Sequence, residues 1–246
     1  MTTIALYNLK GGVGKTASTV NLGYLAAADN FKTLIWDIDQ QGSATFYFKV
    51  KEKNYANVKN ILDKGAAIKD QIKFTDFEQL DILPADNGIN SSDNFLQEIS
   101  SSKTKLSTVL KKLDKTYDFV FIDCPPGFNA LTKAVFNAVN FVLMPVIPTT
   151  LSVRSYNMVK NYLKEAEIDI KKLTCFFTMV DSRKTMHQDT METLFKDKRF
   201  FANYIPYLSD VEKMGIHQAP IMEFANSSYA AKSYRDLWEE IKEGVL

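Results

Sequence analysis

The chain has 246 residues, 46% of them hydrophobic, enough for one sizeable core and ordinary for a single α/β domain spanning 1–246. Its 30 Lys and Arg balance 29 Asp and Glu to a formal charge of +1, so no global field draws it to nucleic acid or membrane, and any such binding needs a local patch. No run reaches the ~18 apolar residues of a membrane span, no leader precedes the first apolar run, and the two cysteines, Cys124 and Cys175, sit in apolar strand-like settings; a reduced cytoplasmic protein is expected.

The first element is an apolar strand at residues 4–7. It leads into Lys10-Gly11-Gly12-Val13-Gly14-Lys15-Thr16 and a helical pattern over 17–28. Strand, glycine loop and helix in that order make a phosphate-binding loop. Gly11, Gly12 and Gly14 let backbone N–H groups converge on a polyphosphate at a helix start. Lys15 adds a point charge for the outer phosphates, and the Thr16 hydroxyl can ligate Mg²⁺. Leu9 occupies the usual first glycine position, and Lys10 adds a second cation. That lysine is either solvated at the loop edge or reaches nucleotide phosphate, its own or a facing subunit's.

A second strand at 33–36 runs into Asp37-Ile38-Asp39-Gln40-Gln41-Gly42. Carboxylates at the C-terminal end of a strand in an open α/β sheet lie at the ligand crevice. Residues 49–73 are polar and lysine-rich, with a short helix expected around 58–62. A strand is expected at 80–83, a serine-rich loop or frayed helix at 89–103, and a helix at 105–113. The run at 119–122 ends in Asp123-Cys124-Pro125-Pro126-Gly127. This reads as a buried parallel strand with an acid at its tip for Mg²⁺, followed by a loop that can sense the γ-phosphate.

A strand at 141–146 stops near Pro148, and a helix over 152–166 follows with Ser152 as its N-cap. A strand at 175–180 ends in Asp181-Ser182-Arg183, and a helix spans 186–195. A short strand at 203–205 meets Pro206 and another helix. The last helix, 229–245, carries Trp238-Glu239-Glu240-Ile241-Lys242-Glu243, an acidic balance that argues against a membrane anchor. The alternation implies an α/β fold: a mainly parallel, doubly wound sheet with helices on both faces. His187 and His217 have no partner at metal-ligand spacing and read as surface or loop residues.

The Lys10–Thr16 loop, the run Asp37 to Thr45 and the Asp123–Gly127 turn together resemble the ParA/MinD family of deviant Walker A ATPases, most like its short Soj-type partition members. The resemblance covers nearly the whole chain and is weakest over 49–115. It implies Mg²⁺-dependent hydrolysis of ATP to ADP and phosphate, slow until a partner stimulates it. Residues 10–17 would hold the nucleotide: Lys10, Gly11, Gly12, Val13, Gly14, Lys15, Thr16 and Ala17. Lys10 would cross the interface of a homodimer that sandwiches ATP. Asp39 would position the attacking water, Asp37 would support the loop and the metal, and Thr16, Asp39 and Asp123 form the metal side. The family's I-P-R-N-V segment over the adenine is matched by Ile205-Pro206-Tyr207-Leu208-Ser209, so Met179, Pro206 and Leu208 would meet the base, without the asparagine that Leu208 replaces. A ParB-like activator and nonspecific DNA are the implied partners. DNA would contact Arg183, Lys184, Lys196, Lys198, Arg199 and Lys213, although Asp210 replaces a family arginine. The alternatives are a cargo-positioning ATPase that works through proteins without DNA, a metabolic ATP-dependent ligase on the same fold, and a nucleotide-dependent regulator whose hydrolysis matters little. Lys10 and the Asp37–Gly42 run favour the partition reading.

Overall fold

The computed structural model describes residues 1–50, 68–85 and 105–245. The long apolar runs become strands because both their faces are buried: β1 (Thr2–Leu6), β2 (Thr33–Asp37), β4 (Leu80–Leu83), β5 (Phe119–Asp123), β6 (Phe141–Val146) and β7 (Leu173–Phe177). A two-residue edge strand, β3 (Lys73–Phe74), pairs antiparallel with β4; all other pairings are parallel. The sheet order is β3-β4-β2-β5-β1-β6-β7. In the central strands Leu6 pairs with Asp123, and Asp123 with Asp37, so the two acids end neighbouring strands at one level.

The helices are α1 (Lys15–Ala28), α2 (Ser43–Tyr47), α3 (Ile68–Gln71), α4 (Lys105–Leu113), α5 (Ala130–Ala138), α6 (Thr150–Glu165), α7 (Thr185–Leu194), α8 (Ser209–His217), α9 (Ile221–Phe224) and α10 (Tyr229–Val245). Helices α1 and α10 cover one face, packing Val20, Leu22, Tyr234 and Trp238 with Ile35, Phe119 and Phe121. Helices α4, α5 and α6 cover the other, with Leu110, Val135 and Val159 in the core of Leu34, Trp36, Val120 and Ile122. Alternate residues of β2 thus serve opposite cores, as the two-residue period of a strand demands.

Five expectations need correction. The strand expected at 203–205 does not form: residues 199–207 run parallel beside β7, with bridges at Cys175–Phe200 and Val180–Pro206 and one further bond from Ile205 N–H to the Phe177 carbonyl at 2.8 Å. Between the bridges the N–H groups of Ala202 and Asn203 donate to the Glu240 carboxylate on α10, at 2.6 and 2.8 Å. A side chain thereby takes the donors that a ladder would have used. The strand expected through 180 stops at Phe177, and Met179 adopts a positive φ of 53°. Helix α1 starts at Lys15, two residues early, because the phosphate loop itself forms its first turn. Helix α6 starts at Thr150 with Thr149 at the cap, so Ser152 is a buried residue of its first turn. His187 is only 3% exposed, not a surface residue. The readings at 58–62 and 89–103 lie outside the described residues.

Gly23 lets α1 settle onto the sheet. A Cβ there would lie 2.7 Å from Ile35 Cδ1 and 2.8 Å from its Cγ1. Gly23→Ala gains about 1 kcal/mol of helix propensity but overpacks at a cost of about 1–3 kcal/mol. A net loss is expected, read as a Tm lower by about 2–4 °C per kcal/mol. Trimming Ile35 to Val in the same chain should restore part of it.

Candidate functional site

The phosphate loop is anchored from below by a residue that sequence reasoning missed. Asn8 is fully buried; its Nδ2 donates to the Pro145 carbonyl at 2.7 Å, and its Oδ1 accepts from Lys10 N–H at 3.0 Å. A polar residue wedged between an apolar strand and a glycine loop was the available signal. Gly12 and Gly14 take φ of 69° and 83°, the left-handed region that a Cβ disfavours. Gly14 caps α1 with no side chain, leaving the first N–H groups of the helix pointed into the loop. Val13 is buried beneath, while Gly11 and Gly12 are exposed. Thr16 and Ala17 are half-buried in the first turn of α1. The buried Lys15 ammonium donates to the Lys10 carbonyl at 3.1 Å. Burial pulls its pKa down, and the carboxylates of Asp123 and Asp39 oppose that shift. The Lys10 ammonium has no partner among the described residues.

The two strand tips meet this loop. The Thr16 hydroxyl donates to Asp123 Oδ2 at 2.7 Å, and Thr19, one turn on, reaches Oδ1 at 3.3 Å. Asp123 is wholly buried, and burial together with the charge of Asp37 raises its pKa. Burial raises that of Asp37 as well, against three hydrogen bonds that lower it. Those bonds come from Thr45 N–H and Oγ1, both at 2.8 Å, and from Asp39 N–H at 3.2 Å. Asp37 therefore braces the turn into α2, while Asp39 stays half-exposed and caps only Gln41 N–H, at 3.0 Å.

The turn after Asp123 is tied on two sides. The Tyr7 hydroxyl donates to the Gly127 carbonyl at 3.0 Å, and Phe128 stacks on Tyr162 of α6 with ring centroids 4.2 Å apart. The sequence singles out neither tyrosine: residue 7 reads only as the end of the first strand and residue 162 as part of the helix over 152–166. Hard oxygens on Thr16 and Asp123 suit Mg²⁺, which prefers few protein ligands plus phosphate and water.

Gly14 also opens a cavity lined by Met179, Pro206, Leu208, Thr178 and Tyr234. The three expected base contacts thus adjoin the phosphate loop. A Cβ on Gly14 would sit 3.3 Å from Thr178 Oγ1 at an unfavourable φ. Gly14→Ala is expected to raise the Kd for nucleotide about tenfold or more, from about 1–3 kcal/mol of backbone strain, as titration calorimetry would measure.

The six expected cations fall in different surroundings. Arg183 forks onto Asp181 at 2.9 and 3.0 Å, Lys184 lies 3.9 Å from the same carboxylate, and Lys213 pairs with Asp210 at 3.0 Å. Arg199 pairs with Asp197 at 2.6 Å, whereas Lys196 and Lys198 are exposed. Buried His187 accepts the Asp181 N–H at Nδ1, 3.1 Å away, and so holds that turn. Among the described residues no helix is long and apolar enough to cross a membrane.

A glycine loop facing buried acids at the tips of adjacent parallel strands defines a P-loop nucleotide-binding protein. Comparison with known proteins narrows the class. The family described as AAA domain matches residues 1–174. The sporulation initiation inhibitor protein Soj of Bacillus subtilis is 30% identical, with 97% of each chain covered. A putative plasmid partition protein from Borrelia burgdorferi bound to AMPPNP superimposes with a TM-score of 0.83 at 23% identity, covering 99% of each chain. The ATP complex of Cyanothece McdA gives 0.85 at 19% identity, covering 100% of this chain and 97% of that one. The chain belongs to the ParA/MinD family of ATPases.

Proposed function

We propose that this protein is an ATP-driven switch that dimerises around two ATP molecules and hydrolyses them to drive DNA partitioning. The observation that carries the reading is the convergence of Lys15, Thr16, Asp39 and Asp123 on one crevice, with the Lys10 ammonium at its edge and unpartnered among the described residues. Lys15 and the loop N–H groups hold the β- and γ-phosphates. Asp39, half-exposed beside the loop, orients the attacking water. Thr16 and Asp123 would hold Mg²⁺, which supplies neutralisation of phosphate charge. Met179, Pro206 and Leu208 pack against the base through apolar and main-chain contacts. Lys10 reaches the phosphates of the facing subunit, so ATP stabilises the dimer and hydrolysis releases it. Relatives named for chromosome partitioning support DNA as the cargo track, and a ParB-like activator completes the proposal.

Solution mass with Mg²⁺-ATP and with ADP, with and without nonspecific duplex, tests the reading. An ATP-only dimer whose DNA binding falls with salt supports it. A dimer indifferent to DNA turns it toward cargo positioning through proteins, and a monomer throughout toward a small-molecule ligase.

A further inference from the structure

The six cations expected to contact DNA do not share one surface. Arg183 and Lys184 follow β7 at its C-terminal end, near Met179 and Tyr207 on the crevice side. Lys196, Lys198 and Arg199 instead line a groove with Lys171, Thr174 and Thr193 at the N-terminal end of the same strand. The bridges Cys175–Phe200 and Val180–Pro206 run along the strand between the two sites. Residues 176–179 and the facing residues 201–205 separate these bridges.

Their charge states differ as well. On the crevice side every cation has a carboxylate of its own chain within reach: Arg183 and Lys184 share Asp181, at 2.9 and 3.9 Å, and Lys213 pairs with Asp210. In the far groove the one carboxylate, Asp197, is consumed. It accepts the Tyr156 hydroxyl at 2.6 Å and pairs with Arg199 at 2.6 Å and Lys160 at 3.6 Å. Lys171, Lys196 and Lys198 are exposed, and their ammonium groups have no partner among the described residues. Three uncompensated cations therefore face one concavity.

We infer that the groove at the N-terminal end of β7, with Lys171, Lys196 and Lys198, is the surface that holds a nucleic-acid phosphate backbone. The inference rests on the DNA reading above and replaces the crevice-side cations as its main contacts. Free lysines beside a threonine hydroxyl are the usual phosphate partners, and they carry no base specificity. Among the described residues the lining contains no aromatic side chain, so it lacks the anchors of a protein hot spot, and its apolar share is limited to Ile170 and Leu173. It also lies at the opposite end of the strands from the nucleotide, so a sandwich dimer closed over the crevice leaves it open.

The test is fluorescence anisotropy on a random-sequence duplex with Mg²⁺-ATP, between about 50 and 200 mM salt. Two variants are compared with the wild type: the triple Lys171→Gln, Lys196→Gln, Lys198→Gln, and the pair Arg183→Gln, Lys184→Gln. The triple variant is expected to lose about three units of the log–log salt slope, one per phosphate contact, with ATP-dependent dimerisation and DNA-free ATP turnover unchanged. The pair is expected to change the slope by less than one. A slope lost in the pair and kept in the triple overturns the groove while leaving DNA binding intact. No binding by wild type at low salt removes the DNA reading itself. Wild-type binding to anionic phosphatidylserine vesicles that the triple abolishes, without duplex binding, assigns the groove to a lipid surface instead.

Discussion

Asp39→Ala is expected to cut ATP turnover by about 10²–10⁴-fold, the range for losing a positioned acid–base group, while the ATP-bound dimer persists. The separation of the two effects follows from the hydrogen bonds. Asp39 gives its N–H to Asp37 and its carbonyl to Gly42 N–H through the backbone, and its side chain offers one oxygen to Gln41 N–H, so the side chain carries little of the fold. Asp37 keeps both bonds from Thr45, and Asp123 keeps Thr16. Phosphate contacts therefore survive while the water loses its guide, and hydrolysis, which depends on positioning, stalls with substrate bound. Phosphate release measured beside light scattering checks it. Unchanged turnover removes the water-positioning role. Simultaneous loss of nucleotide binding would instead make Asp39 a structural residue.

Lys10→Ala is expected to abolish the ATP-dependent dimer while each monomer still binds nucleotide. The backbone of residue 10 is held by Asn8, and its carbonyl receives Lys15; alanine keeps both contacts. What it removes is an ammonium group that no described residue of its own chain engages. A charge-assisted contact is worth about 1.5–3 kcal/mol, and two symmetric ones per dimer make the dimerisation constant about 10²–10⁴-fold weaker. Light scattering across protein concentration, with nucleotide affinity measured separately, reads both arms. A dimer of unchanged strength excludes the contact across the interface.

Much of this site was legible because its signals are local. Lys10 to Thr16 between an apolar run and a helix needs its glycines for φ of 69° and 83°, and the structure uses them so. Asp37 and Asp123 each close an apolar run, and parallel register sets them side by side. Helices 105–113 and 229–245 and strands 80–83 and 141–146 were readable to the residue. Helix α5 was not read, although Asn129 caps it by accepting Thr132 N–H at 2.8 Å. Proline and glycine before it read as loop, and its short apolar pattern did not outweigh them.

By itself the sequence determined the phosphate loop, the acids at the strand tips and the parallel class of the sheet. Each of these is written in contiguous residues whose period or backbone demand is intrinsic. Tertiary structure alone decided that Asn8 holds Lys10 from β6, that Tyr7 grips the turn after Asp123, and that Ala202 and Asn203 give their N–H groups to Glu240. It alone separated six cations, spread over residues 183–213 in a linear reading, into Arg183, Lys184 and Lys213, paired at the crevice, and Lys196, Lys198 and Arg199 at the far end of β7, where Arg199 is paired and the two lysines have no partner among the described residues. The reason is physical: hydrogen bonds and ion pairs between residues tens to hundreds of positions apart depend on which strands neighbour each other, and no local pattern records that order.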